Sequence, residues 1–207
     1  MTDLVLVGRS SSHFTRLTRI FALELGVAHT FRAVLDLTSA DPASYAGNPA
    51  LKIPVLVDAD GPIFGAENIC RELTQRAQAR ARVVLRGDVA GRLVANAEEM
   101  TLHAMATDVA LVMASVAAAD RPAPPKRRPS LERALVYLDE HIDRVCAALP
   151  ADRRLSFVEA ALFCVVTHLP FRHVLDVAPY ERLAAFCAGF GQRESAQRTE
   201  YRYDAAS

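Results

Sequence analysis

The 207-residue sequence predicts an α/β domain followed by an all-helical one. Three observations predict it. Short runs rich in Val, Ile and Phe alternate with helical periodicity up to about residue 77. Strand-like patterning stops beyond Gly87, and helix-start signals recur after it.

The elements follow in order. Leu4–Val7 is a short apolar strand, and Ser12–Leu25 places Phe14, Leu17, Phe21 and Leu25 at helical spacing. Gly26 stands where a glycine ends a helix. His29–Val34 reads as a second strand, and "TSADPASYAGNP" as a turn-rich connection with one helical turn. Val55–Val57 and Ile63–Phe64 flank "DADG", a tight reversal in which Gly61 is free to take positive φ. From Ala66, "AENICRELTQRAQARARVVL" reads as a helix with Ile69 and Leu73 on one face. The order is β-α-β, connection, β-β-α.

Asp88 to about Ala119 suits a long, largely buried helix. "DRPAPPKRRP", Asp120–Pro129, interrupts it. The Lys126-Arg127-Arg128 cluster is a binding patch or a solvated loop, and charges between prolines favour the loop. Ser130 is expected to cap the next helix, which carries Leu131, Leu135, Leu138 and Ile142 on one side. In "LSFVEAALFCVVTHL", Ser156 and Glu159 have capping-box spacing. A last helix spans about Pro179–Phe190, and the tail "QRTEYRYDAAS" is polar. The change of pattern over residues 77–87 divides the chain into domains 1–78 and 88–207.

Lys+Arg and Asp+Glu balance at 24 each, so no global field draws the chain to nucleic acid or membrane. The start lacks a signal peptide's basic region, and no run reaches the roughly 18 apolar residues of a spanning helix. A soluble cytoplasmic protein is expected. Cys70, Cys146, Cys164 and Cys187 form no C-x-x-C pair and read as buried free thiols. His168 and His173 lie across Pro170 without the i, i+4 spacing of a helical metal pair, and no metal is expected.

One stretch resists this reading. In "KIPVLVD", Pro54 heads an apolar strand although proline donates nothing to a ladder. It either opens an edge strand or serves a special purpose.

"NPALKIPVLVDADGPIFGAENICREL" resembles the N-P-x-G-K-V-P-V-L-x-D-G and F-E-S-x-A-I-x-x-Y-L stretches of the glutathione transferase superfamily. "LSFVEAALFCVVTHL" is similar to its S-x-A-D-x-A-L-F helix start, and "FGQRESAQRTEYRYD" to the R-P-S-x-x-A-T-x-Y-R-F-D ending of bacterial members. The resemblance implies a thioredoxin-like N-terminal domain, with helices on both faces of a four-stranded mixed sheet, then a helical bundle. It also implies a homodimer that conjugates glutathione, as co-substrate, to a small hydrophobic electrophile. Relatives of that kind serve detoxification.

The resemblance assigns residues as well. Pro54 matches a proline that follows a cis bond and turns the main chain of Ile53 outward, where glutathione's cysteinyl unit docks like an added strand. A free thiol of pKa about 8.5 is largely protonated at neutral pH, so the site must favour thiolate. A hydroxyl at a helix N-terminus does this. Ser12 aligns with the catalytic residue of S-P-F and C-P-F members, with His13 in place of the proline. Ser10 and Ser11 are the alternatives, and the plain reading of Ser12 is a helix cap. Serine favours conjugation over mixed-disulfide chemistry. Lys52 matches a residue near the glycyl end, or is a surface lysine.

Gly65 and Ala66 replace the Glu-Ser pair that holds the γ-glutamyl group, which leaves the backbone amides of Ala66 and Glu67 for its carboxylate. Glu67 either turns to the ammonium or is an exposed first-turn acid. His103, Met105 and Thr107 lie on the helix that walls the electrophile pocket in the family. The missing Glu-Ser pair motivates a rival reading, a binding or scaffold protein of the same fold with weakened glutathione binding. Peroxide reduction and isomerisation are related chemistries.

Overall fold

Val5, Val7, Val55 and Val57 point to one face of a sheet and Leu6 and Leu56 to the other, as the two-residue period of a strand requires. The protein is described from a computed structural model covering residues 4–77, 82–116 and 124–205. It divides into two compact units. One runs to Val83 and takes in the segment from Glu194, and the other is Val84–Arg193.

The first unit contains β1 (Val5–Gly8), α1 (His13–Glu24), β2 (Thr30–Ala33), a 3-10 turn (Pro42–Tyr45), β3 (Val55–Asp58), β4 (Gly61–Phe64) and α2 (Ala66–Arg76). The sheet order is β2-β1-β3-β4. β2 lies parallel to β1, while β3 and β4 are antiparallel to their neighbours. Parallel pairing requires a crossover, which α1 provides. The β3–β4 reversal has Ala59 and Asp60 at its tip. Asp58 Oδ1 accepts from the N–H groups of Asp60 (2.8 Å) and Gly61 (3.1 Å), and Gly61 takes φ +120°.

On one face Val7, Val34, Tyr45 and Val55 form a core cluster, with Tyr45 supplied by the 3-10 turn. Its hydroxyl donates to Ser39 O at 3.0 Å, so the ring is buried without stranding a polar group. Near the other face α1 and α2 pack together, and α2 lies on β3 and β4. Leu17, Ile20 and Phe21 in α1 and Ile69 and Leu73 in α2 are fully buried.

The expected helix from Ala66 to Leu85 is shorter. It ends at Arg76, Ala77 is extended, and the β-branched Val83–Val84 form β5. Residues 78–81 lie outside the described ones.

The second unit contains α3 (Arg92–Val116), α4 (Arg127–Ala148), β6 (Leu155–Ser156), α5 (Phe157–Phe171) and α6 (Glu181–Phe190). α3 packs on α4 and α5, and α6 on both of those. α3 starts after Gly91 rather than at Asp88, and its expected end at Ala119 lies outside the described residues. α5 is buried on every side, consistent with its unbroken apolar run.

The α5 start follows the capping signal in part. Ser156 Oγ accepts from Glu159 N–H at 3.2 Å, but the Glu159 carboxylate takes Ser156 Oγ–H (2.6 Å) and two Arg153 bonds (2.8 and 2.6 Å). Ser130 is not a cap. α4 begins one turn earlier at Arg127, because Pro129 fits a first helical turn, and Ser130 Oγ donates to Arg127 O at 2.9 Å. Arg128 Nη1 donates to Val174 O at 2.7 Å, so at least this member of the basic cluster has a structural partner. α6 has no side-chain cap from Tyr180. Asp139 of α4 accepts instead from Leu183 N–H at 2.9 Å.

His168 is buried, with Nδ1 2.5 Å from Asp108 Oδ2, which ties α5 to α3. None of the four cysteines forms a disulfide. Cys70 and Cys164 are buried as expected, whereas Cys146 and Cys187 are only half-buried. Burial, followed by the neighbouring Glu159 carboxylate, pushes the Cys146 thiol up to about 11.

The tail departs from its expected place. Instead of closing a helical domain 88–207, the segment from Glu194 belongs to the first unit and begins with the short α7 (Glu194–Gln197), which packs on α1. Among the described residues no helix is long and apolar enough to cross a membrane.

Candidate functional site

Strand polarity collects the candidate residues of the first unit. β1 runs toward Gly8, Val7 faces Val55 at the start of β3, and Val55 faces Phe64 at the end of β4. The loop after Gly8, the Ile53-Pro54 step before β3 and the Gly65 junction after β4 therefore share one end of the sheet. Both α1 and α2 begin there.

Ser12 is the N-cap of α1, with extended backbone and its Oγ accepting from Thr15 N–H at 3.3 Å. The cap role is therefore real, and it places the hydroxyl at the positive end of the helix dipole. Ser10 and Ser11 are buried, at 2% and 5% exposure, whereas Ser12 is half-buried. Of the three, Ser12 is the most open to a ligand. Ser10 Oγ has no hydrogen-bond partner among the described residues, and its backbone N–H donates to Asp204 Oδ2 at 2.7 Å. The loop is also pinned locally, by Ser12 N–H to Arg9 O (3.0 Å) and Arg9 N–H to Thr15 Oγ1 (3.3 Å).

The Ile53–Pro54 bond is cis. Pro54 is buried, Ile53 packs its side chain on the Val7–Tyr45–Val55 cluster, and among the described residues its main chain makes no hydrogen bond. Lys52 is exposed. Its carbonyl accepts from Asn48 Nδ2 at 2.7 Å, which fixes the approach to residue 53.

Gly65 is the N-cap of α2, at φ +85° and ψ 140°, and provides no side-chain cap. Only glycine adopts this backbone without strain. Ala66 is buried, and Glu67 in the first turn lies 3.9 Å from Arg71, a loose pair on the helix surface. The amides of Ala66 and Glu67 thus start a helix with no side chain over them, an arrangement suited to an anion.

The electrostatics around α1 were not anticipated. Arg16 is buried and donates from Nη2 to Ala196 O (3.1 Å) and from Nε to Thr199 Oγ1 (3.4 Å), with the Tyr201 ring 4.3 Å away. Burial and then Arg202 hold Arg19 below the usual arginine range. Asp204 opposes this and Arg16 adds to it. The tail motif was visible in the sequence as a resemblance, but nothing local tied it to α1.

The family residues expected on α3 are occupied within the second unit. Met105 is fully buried, and His103 Nε2 lies 3.2 Å from Ser130 Oγ and 3.5 Å from Thr107 Oγ1.

Residues 6–81 match the glutathione S-transferase N-terminal domain family. No curated protein sequence matches the chain. Among solved structures it is similar to a glutathione S-transferase from Methylobacillus flagellatus KT with GSH bound, at 22% identity and TM-score 0.81, over 97% of this chain and 100% of that one. A glutathione transferase family member from Pseudomonas fluorescens Pf-5 with bound glutathione gives 22% identity and TM-score 0.79 over the same shares. A glutathione S-transferase from Methylobacterium radiotolerans in complex with glutathione sulfonate gives 19% and 0.73, over 100% and 99%.

Proposed function

We propose, from the premise that the chain belongs to the glutathione transferase superfamily by its N-terminal domain and its fold, that it binds glutathione and conjugates the thiolate to a hydrophobic electrophile. One observation carries the reading. The Ser12 cap, the unengaged main chain of Ile53 and the open start of α2 occupy the same end of one sheet. The glutathione-bound relatives of the same fold support it.

In this reading the cysteinyl unit pairs with the Ile53 main chain beside Pro54 and extends the sheet edge by backbone hydrogen bonds. The γ-glutamyl carboxylate sits on the amides of Ala66 and Glu67, below Gly65, and Glu67 is the acid nearest its ammonium. Lys52 serves the glycyl carboxylate. Ser12 Oγ–H donates to the sulfur as it ionises, while its lone pair keeps Thr15 N–H. This is serine-type thiolate chemistry. The thiol proton leaves to solvent, and attack of the thiolate on an electrophilic carbon forms the C–S bond. Either that carbon's bond to a leaving group breaks and the group departs with the electron pair, or, in an addition, a π bond opens and its electrons take a proton from solvent. A cytoplasmic homodimer with no resident metal completes the proposal.

Calorimetric titration with glutathione tests it. Saturable binding in the micromolar to millimolar range is expected. No heat at millimolar ligand moves the chain to the second reading, a non-catalytic binding or scaffold protein, which the bare Gly65 cap favours.

A further inference from the structure

We propose that the segment Glu194–Asp204 is a strap that sets the β1–α1 loop, with Asp204 as a positioning residue whose carboxylate holds the Ser10 amide and thereby fixes Ser12 at the start of α1. The part of this inference that concerns the thiol rests on the function proposed above.

Three hydrogen bonds of the loop bear on its position. Two are local, Ser12 N–H to Arg9 O and Arg9 N–H to Thr15 Oγ1. The third, Ser10 N–H to Asp204 Oδ2 at 2.7 Å, comes from 194 residues away and is the shortest. A carboxylate acceptor makes it stronger than a neutral bond. The Ser10 hydroxyl is buried and has no hydrogen-bond partner among the described residues, so it adds no fastening of its own.

Asp204 does not reach the loop alone. Ser195 Oγ–H donates to Glu24 Oε1 at 2.6 Å at the far end of α1, and Arg16 takes Ala196 O and Thr199 Oγ1 in its first turn. Thr199 is fully buried. The strap is therefore fastened at the end of α1, at its first turn and at the loop before it, and its last fastening falls two residues before the cap. Arg19 lies within electrostatic reach of Asp204, so a cation of α1 faces the carboxylate that holds the loop.

The test compares the full chain with its Asp204→Ala and Asp204→Asn variants. It uses amide hydrogen exchange at Ser10 to His13 and the pH titration of bound glutathione's thiolate absorbance. Asp204→Ala is expected to speed Ser10 exchange at least ~10-fold. It is also expected to raise the bound thiol's pKa by about one unit, with glutathione affinity within about threefold of the parent. Asp204→Asn keeps an oxygen acceptor without the charge, and should retain both the protection and a thiol pKa at or just below the parent's. Unchanged Ser10 exchange in Asp204→Ala overturns the strap. Equal thiol shifts in the two variants overturn positioning in favour of charge alone. Should the alanine variant not fold, Asp204→Glu, one methylene longer, takes its place with the same expectations. Failure of the parent to bind glutathione sinks the proposed function, while the exchange measurement still decides the strap.

Discussion

The side chain of Thr15 lies so close to the backbone of Gly8 that a β-carbon on residue 8 would stand 2.4 Å from Thr15 Cγ2 and 2.6 Å from its Oγ1. Both atoms sit on a β-branched side chain with little rotamer freedom in a helix, and Oγ1 is engaged by Arg9 N–H. Close approach at this point lets α1 start directly after β1. Gly8→Ala is expected to destabilise the protein by about 1–3 kcal/mol. Thr15→Ala in the same chain should recover part of that loss. Urea denaturation of the two single variants and the double variant measures the coupling, and strict additivity would show that the contact does not limit the packing.

The proposed function gives Ser12 a second role beside its N-cap. Ser12→Ala removes the acceptor of Thr15 N–H and should cost about 0.5–2 kcal/mol of stability. If the hydroxyl also faces glutathione's sulfur, losing a hydrogen bond to a charged group raises the bound thiol's pKa by about 1–2 units. Affinity stays within about threefold. Ser12→Thr keeps the hydroxyl and should restore both properties in part. A bound thiol that titrates identically in Ser12→Ala transfers the role to Ser10 or Ser11.

Under the proposed function, the start of α2 offers a gain of function. Gly65 holds φ +85°, so any side chain there is strained despite the open space around it. Ala66 is helical and carries no such restriction. Ala66→Ser adds a donor at the first residue of α2 and should tighten glutathione binding by about 10-fold, the lower end for a hydrogen bond to a charged group. Calorimetry decides the matter. Unchanged affinity means the carboxylate is not seated at this helix start.

Acid sensitivity should concentrate at Glu159. Burial pushes its carboxyl up, but the Arg153 and Ser156 hydrogen bonds and the Arg153 charge outweigh this and hold it below the usual range. A depressed carboxyl contributes stability above its unfolded value of about 4.3, and that stability is lost as the pH falls through the folded value. Arg153→Met should cost about 3 kcal/mol at pH 7, the low end for breaking a buried pair. The gap between variant and parent should narrow as the pH drops below about 4. Denaturation curves at pH 7 and pH 3.5 that differ by the same amount would assign the loss to packing instead.

What the sequence made legible follows from how far each signal reaches. The "DADG" reversal, the Tyr45 turn and the α1 periodicity depend on neighbours a few residues apart, and all three stand in the structure. Ser130 misled because a serine before an apolar run marks a cap only when the helix has not already begun, and Pro129 allowed it to begin at Arg127. Val83 and Val84 looked helical as the end of a long run, yet they are extended, in keeping with the strand preference of β-branched residues. Among the candidate site residues, Ser12, Ile53 and Gly65 were singled out through motif resemblance. Asp204 was not, because a bond spanning 194 residues leaves no periodicity to read.

The discontinuous first unit has a consequence for biosynthesis. A ribosome delivers α1 early, but the carbonyl of Ala196 and the hydroxyl of Thr199, which take up the Arg16 guanidinium, emerge only after the whole helical unit has been made. Until then those two acceptors are missing, and the helix lacks the fastening they give it. The part of the molecule that is begun first is therefore finished last.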